Sequence, residues 1–383
     1  MANSAGERAE REVRRLCQAG LDTRTLAVEA LRRLRAAIPV DAFFWATADP
    51  ATLLFTGSVV EEIPERVTPL FLTNEFLQDD VNKFVQLARR RDPVDSLFRA
   101  TAGEPERSPR YRDILAPVGL GDELRAALVD GGSCWGFVCL HRERSGPGFN
   151  ADEAALLRRL TTPLARGLRT ALLLDNATEA LGPDEPGLLI LADDLSVAAM
   201  TPAAERWLAE IEDWPKRNEL PHAIPTLARR LRALEREGDI APAVLPRVRI
   251  RTRSGRWLTL HASRLRGAAA ERLDQTAIVL EPAQPSQTAS LVLQAYGLTE
   301  REAQVAHLVL GGLSTEDIAT QLCISVLTVQ QHLKGVFDKA AVRSRRELVA
   351  RVFAEHYWPH IMVGTRPTAD GSFGVGTSPA PTS

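Results

Sequence analysis

Lysine is almost missing from this chain: it occurs only at Lys83, Lys216, Lys334 and Lys339 among 47 basic residues. Neither sign of charge is in excess. With a net charge of -2, no global field draws the molecule to nucleic acid or to an anionic membrane, so any polyanion contact must come from a local patch. No apolar run approaches the roughly 18 residues of a membrane span. The opening "MANSAGERAEREVRRL" is charged where a signal peptide needs an apolar core, and a cytoplasmic location without membrane contact is expected. The four cysteines, Cys17, Cys134, Cys139 and Cys323, are scattered without CxxC spacing, as befits reduced thiols. Cys134 and Cys139 are an odd number of residues apart, which puts them on opposite strand faces and speaks against a redox pair or a metal site there. The seven histidines show neither HExxH nor zinc-finger spacing with the cysteines, so they are read as structural, with no metal and no cofactor. GxxxxGK[ST], GxSxG and a supported pair of acids are also missing, and no enzyme is expected.

What is present is an ordinary globular composition, 45% hydrophobic and 25% charged over 383 residues, enough for two or three domains. Residues 7–37 carry apolar positions at helical spacing, broken at Gly20-Leu21-Asp22, and predict two helices. "VDAFFWAT" and "TLLFTGSVV", parted by Asp49-Pro50, predict a hairpin. A helical section over 74–91 follows. "DELRAALVDGGSCWGFVCLHR" predicts two more strands joined at Asp130-Gly131-Gly132. Asn150 with Glu153 then opens a long helix containing Pro163. Helices around an antiparallel sheet make an α+β domain. Phe43, Trp45, Trp135 and Phe137, with Phe44, are the residues proposed to line a ligand cavity, although alternating strand aromatics also make ordinary core.

In the segment "WGFVCLHRERSGPGFNADEAALLRRL", residues 1–180 resemble a GAF sensor domain with N-terminal helices added. The resemblance spans about 20–175 and implies a small-molecule ligand, a homodimer contact, or both. Residues 183–283 contain "GLLILADDLSVAAMTPAAERWLAEI", the alternating "PRVRIRTRSGRWLTLHASRLRG" and a closing strand "DQTAIVLEPA", and are similar to an α+β PAS-type domain. Asp193-Asp194 is read as a plain turn. A Pro/Gln/Ser linker is expected over 281–290 and a disordered Gly/Pro/Ser/Thr-rich tail over 364–383. No internal repeat is visible.

Residues 291–358 punctuate themselves into four helices. Thr299 with Glu302, Ser314 with Asp317 and Ser344 with Glu347 have capping-box spacing, Ser325 is a further N-cap, and Gly311-Gly312 and Leu322-Cys323-Ile324 are stops. The apolar stripes are Ala303, Val305, Ala306, Leu308 and Val309; Ile318, Ala319 and Leu322; Val326, Val329, Leu333, Val336, Phe337 and Ala340; and Leu348, Val349, Val352 and Phe353. An all-α helix-turn-helix bundle follows. Subtracting the third stripe leaves Leu327, Gln331, Lys334 and Asp338 outward, flanked by Thr328 and Gln330. Amides and an ammonium on one helix face suit base edges in a major groove.

"LTEREAQVAHLVLGGLSTEDIATQLCISVLTVQQHLKGVFDKAAVRSRRELVARVF" strongly resembles the LuxR/NarL-type DNA-binding domain. The resemblance implies double-stranded promoter or operator DNA as partner. It places Gln330, Gln331 and Lys334 at base edges and Thr328 and Arg345 near the backbone. The local basic cluster Lys339, Arg343, Arg345 and Arg346 is left for phosphates. The chain departs from the family at Val326 and Leu327, where polar or basic residues are usual, at Gln330 in place of Lys or Arg, and at "KAAV". Over 290–360 there are as many basic residues as acidic ones, which predicts weak nonspecific attraction. The expected function is a dimeric transcriptional regulator whose sensor regions control the helix-turn-helix. The alternative is a sensor or scaffold whose degenerate helix-turn-helix binds a protein.

Overall fold

A computed structural model describes residues 2–174, 185–211, 220–237, 246–266, 272–283 and 296–356. The chain forms two compact units, one holding the described residues up to Glu281 and the other those beyond it. The tail over 364–383 and most of the linker over 281–290 lie outside the described residues. So do Lys216 and the end of the long helix beyond 174.

The first unit begins with α1 (Ala2–Leu16) and α2 (Thr23–Leu34), separated at the expected break, with Asp22 capping α2 through Thr25 N. Then come β1 (Ala42–Ala48), β2 (Phe55–Glu61), α3 (Val67–Leu77), α4 (Phe84–Arg89), β3 (Val94–Ser96) and the short α5 (Leu97–Ala100). The helical section over 74–91 is therefore two helices, broken between Leu77 and Phe84. β4 (Leu120–Asp130) and β5 (Ser133–Glu143) join through Gly131 and Gly132, both at positive φ, a backbone that glycine adopts without a Cβ clash. α6 (Ala151–Leu174) closes the region. Asn150 and Glu153 cap each other's backbone N–H at its start, at 3.0 and 2.9 Å.

These strands form sheet 1, in the order β2-β1-β5-β4-β3. Paired antiparallel residues point to the same side, so the register Phe44↔Cys139 and Ala46↔Phe137 sets one face. That face packs with Phe55, Phe84 and Leu87 in one apolar cluster under α3 and α4. Phe43↔Leu140 and Trp45↔Val138 set the other face, and α6 packs against the strands with Leu157, Leu160 and Leu164 fully buried.

Cys134 and Cys139 share one face of β5, contrary to the expected alternation. Val129 pairs with Cys134 while Leu128 pairs with Gly136, so Trp135 is an extra residue in β5, a bulge that resets the alternation. Cys134 and Cys139 consequently join the same core cluster. Both are free thiols.

The rest of the unit is β6 (Gly187–Leu191), β7 (Val197–Met200), α7 (Pro202–Ala209), α8 (Ala223–Glu237), β8 (Arg247–Arg251), β9 (Trp257–Arg266) and β10 (Arg272–Pro282). β10 thus extends into the span expected as linker. Sheet 2 runs β7-β6-β10-β9-β8, the strand order of sheet 1 repeated. Thr201 caps α7 through Ala204 N with Pro202 behind it, as the sequence predicts. Asp194 turns the chain by accepting Ser196 N at 2.9 Å.

Buried and half-buried polar bonds join sheet 1 and sheet 2. Arg249 is buried although it lies in an alternating strand; its Nε and Nη2 reach the two carboxylate oxygens of Asp49 at 3.0 and 2.7 Å. Arg229 on α8 reaches Thr73 Oγ1 and Pro69 O, each at 3.2 Å, and Ser58 bonds His222. Leu54, from the β1–β2 turn, sits in the core of sheet 2.

The second unit contains α9 (Glu300–Leu310), α10 (Thr315–Leu322), α11 (Val326–Lys339) and α12 (Arg345–His356). Val305, Val309, Ile318, Val329, Val336 and Leu348 form its interior. Val326 and Val349 belong to the expected stripes but are exposed. Val326 is the first residue of α11, where the chain is still entering the bundle.

Candidate nucleic-acid interface

Capping chemistry sets the angle at which α11 leaves the bundle. Thr299 with Glu302 and Ser314 with Asp317 form reciprocal capping boxes, each worth about 1 kcal/mol. The Ser314 hydroxyl and backbone hold the Asp317 carboxyl below the usual carboxylate range. Cys323 ends α10 in the left-handed region at φ 53°, and Ser325 restarts the chain by accepting Thr328 N at 3.1 Å. A helix of eight residues cannot persist alone, so α10 is held by its contacts with α11 and α9. At α12, Ser344 accepts Glu347 N at 3.1 Å, but Glu347 reaches back to Arg343 N rather than to Ser344 N.

One carboxylate ties this bundle together. Glu302 Oε2 accepts Thr299 N at 2.7 Å and Lys339 Nζ at 2.6 Å, and its Oε1 lies where a Cβ on Gly335 would stand. Only glycine lets the carboxylate lie this close to α11. Burial pushes the Glu302 carboxyl up, yet the Lys339 ammonium and the Thr299 donors outweigh it and hold it low.

The outer face of α11 carries Leu327, Gln331, Lys334 and Asp338, all exposed, with Gln330 exposed and Thr328 half-buried beside them. This is one stripe at spacings of three and four residues. Leu327, 65% exposed, is the apolar member of an otherwise polar face.

The five residues expected at phosphates fall into two groups. Arg343 and Arg346 are exposed, and Thr328 lies at the start of α11. The other two are bonded within the bundle. Lys339 is engaged with Glu302, and Arg345 donates its Nη1 to Leu313 O at 2.7 Å, with Nη2 buried and without a hydrogen-bond partner. The cluster read from the sequence as one basic patch thus divides into the exposed Arg343 and Arg346 on one side and, on the other, the exposed Lys339 and half-buried Arg345, which bond within the bundle.

Residues 297–352 match the family "Bacterial regulatory proteins, luxR family", and residues 22–168 match the GAF domain. Neither matched family is an enzyme family. Two curated relatives match part of the chain. The Monoamine regulon transcriptional regulator of Klebsiella aerogenes is 43% identical over 56 residues, 15% of this chain and 25% of that protein. A protein of Aeromonas salmonicida, named as an HTH-type transcriptional regulator in the exeN 3' region, is 48% identical over 59 residues, 15% of this chain and 30% of its own. The chain therefore spans less than a third of either relative. A crystal structure of the phage VqmA-DPO complex is 16% identical, covering 52% of this chain and 94% of that one. The TM-score of that match is 0.18. Among the described residues no helix is long and apolar enough to cross a membrane.

The four aromatics proposed for a ligand cavity do not face one space. Phe137 points towards α3 and α4, Phe43 and Trp45 point to the opposite face of sheet 1, and Trp135 is the bulged residue; all four are buried. They are core.

Sequence reasoning missed the polar interior of sheet 1. Arg110 and Arg125 are fully buried. Arg110 Nε donates to Glu123 Oε1 at 2.6 Å, and Arg125 Nη1 donates to Glu75 Oε2 at 2.8 Å while its guanidinium lies 4.4 Å from the centre of the Phe84 ring. Lys83 Nζ donates to Asn74 O at 2.7 Å, and Asp80 accepts Arg110 N at 2.8 Å. Burial pushes the Glu123 carboxyl up, but Arg110 and Arg125 override it and bring it down to about 2. The available signal was "DELRAALV", whose Glu123 and Arg125 fall on one face of a strand. The strand turns them inward because Arg110 and α3 bring counter-charges to meet them.

Proposed function

We propose that this chain is a non-enzymatic, DNA-binding transcriptional regulator. In this reading the GAF-containing unit senses a signal and α11 reads the major groove, with two copies placed about one DNA turn apart. The observation that carries it is the exposed amide-and-ammonium stripe of Gln331 and Lys334, with Gln330 beside it, on a capped helix inside the luxR-family match. Gln330, Gln331 and Lys334 are assigned to base edges. Arg343, Arg346 and Thr328 are assigned to phosphates, with Lys339 and Arg345 acting mainly by holding α11 and α12 in place. Sheet 2 is read as PAS-like on its strand order and its capped Thr201-Pro202 helix. The free thiols fit a cytoplasmic protein.

The test is binding of the full chain to DNA from its own promoter region. Gln331→Ala with Lys334→Ala should abolish the gel shift at unchanged circular dichroism, and unchanged affinity would refute the assignment. One observation favours a second reading, a protein partner on the same face: the exposed Leu327 at its edge. A partner captured by the wild type and lost on Leu327→Glu, with no DNA binding even at low salt, would establish that reading instead.

A further inference from the structure

The face of sheet 1 under α3 and α4 holds three side chains that the regulatory reading does not use. β4 and β5 pair Glu123 with His141 and Arg125 with Cys139. Glu123, Cys139 and His141 therefore project to the same side, two residues apart on β5 and directly across on β4. One ligand atom of each lies within 4.8 Å of the others, and all three residues are buried.

The spacing suits one ion. Cys139 Sγ lies 3.4 Å from Glu123 Oε2; sulfur and oxygen ligands on a tetrahedral zinc, at ~2.3 and ~2.0 Å, stand about 3.5 Å apart. Glu123 is also divided in use. Its Oε1 faces Arg110 and Arg125, which leaves Oε2 turned to the thiol.

A second observation is that two buried polar atoms, one on a ligand residue and one on the neighbouring Arg125, lack hydrogen-bond partners. His141 Nδ1 is one, and Arg125 Nη2 is another. A buried imidazole nitrogen without a partner costs free energy unless something outside the protein's own groups meets it.

We propose that Glu123, Cys139 and His141 form a binding site for a divalent transition-metal ion of the zinc class, with the fourth position open to water or a small anion. A thiolate, an imidazole and a carboxylate are a ligand set for zinc or ferrous iron rather than for magnesium or calcium. Binding replaces the S–H bond of Cys139 with an S–metal bond, and the proton goes to solvent. Charge balances as follows. Lys83, Arg110 and Arg125 already offset Glu75, Asp80 and Glu123, so a dication with one thiolate leaves one positive charge. A hydroxide or carboxylate in the open position cancels it, and Arg125 Nη2 is a donor for that anion.

The experiment uses the full chain, stripped of metal with a chelator. It is titrated with Co2+ folded, and separately refolded from denaturant with Co2+ present. The expected result is one equivalent of cobalt with thiolate-to-cobalt charge-transfer absorption, displaced by Zn2+, and a melting temperature raised by zinc. Cys139→Ser should remove the band and the zinc-dependent rise, while Cys134→Ser and Cys323→Ser keep both. His141→Gln should weaken cobalt binding by roughly tenfold or more. No band in either preparation, or a band that survives Cys139→Ser and vanishes with Cys323→Ser, overturns the site. Circular dichroism of each variant separates a lost ligand from a lost fold.

Discussion

Sheet 1 and the C-terminal bundle handle charge in opposite ways. In sheet 1, Arg110, Arg125 and Glu123 are buried and bonded to one another. On α11 the polar groups Gln331 and Lys334 stand exposed, while one inward carboxylate, Glu302, steadies the helix behind them. The difference teaches where each kind of substitution should register. Buried charge acts through stability, because a removed partner leaves a desolvated ion. Exposed polarity acts through binding, since water replaces whatever is lost.

The largest effect expected is therefore in sheet 1. Glu123→Ala leaves two buried guanidiniums short of a partner and should destabilise the first unit by about 3–5 kcal/mol in denaturant melts. Asp49→Ala, which strips the buried Arg249, should cost somewhat less, and Asp49→Asn with Arg249→Met should regain part of it. In the bundle, Thr299→Ala and Ser314→Ala should each cost about 1 kcal/mol, read as earlier loss of helix signal.

A smaller effect is set by pH. The folded Glu302 carboxyl is held below its ordinary value, so its contribution is fully present above the unfolded carboxylate pKa and is lost as pH falls through the folded one. Acid titration of the bundle should show this loss below the usual carboxylate range, and Lys339→Met should flatten it. Smallest of all, Lys334→Ala should leave stability within about 0.5 kcal/mol.

The bundle was the most legible part of the sequence because its signals are local. Thr299, Ser314 and Ser325 each lie three residues from the groups they bond, and caps of that kind can be read without knowing the fold. The strands of sheet 1 were legible as well. Their contents were not, because Glu123 meets Arg110 from 13 residues away and Arg125 meets Glu75 from 50 residues away. The parity of β5 also turned on a single bulged Trp135. The shared strand order of the two sheets left no repeat in the sequence, since strand order depends on the apolar alternation and on turns, which many residues satisfy. Lys339 and Arg345 read as phosphate contacts, because their bonds to Glu302 and to the Leu313 carbonyl span 37 and 32 residues.

The central claim is that the exposed stripe of α11 reads duplex DNA, and salt-dependent binding of the full chain to its promoter DNA tests it most directly. Wild type should bind with an affinity that falls as salt rises, Arg343→Ala should reduce that slope by about 1, and Gln331→Ala with Lys334→Ala should remove sequence preference while the fold persists. Equal affinity for promoter and unrelated duplexes in both wild type and the double variant would contradict it.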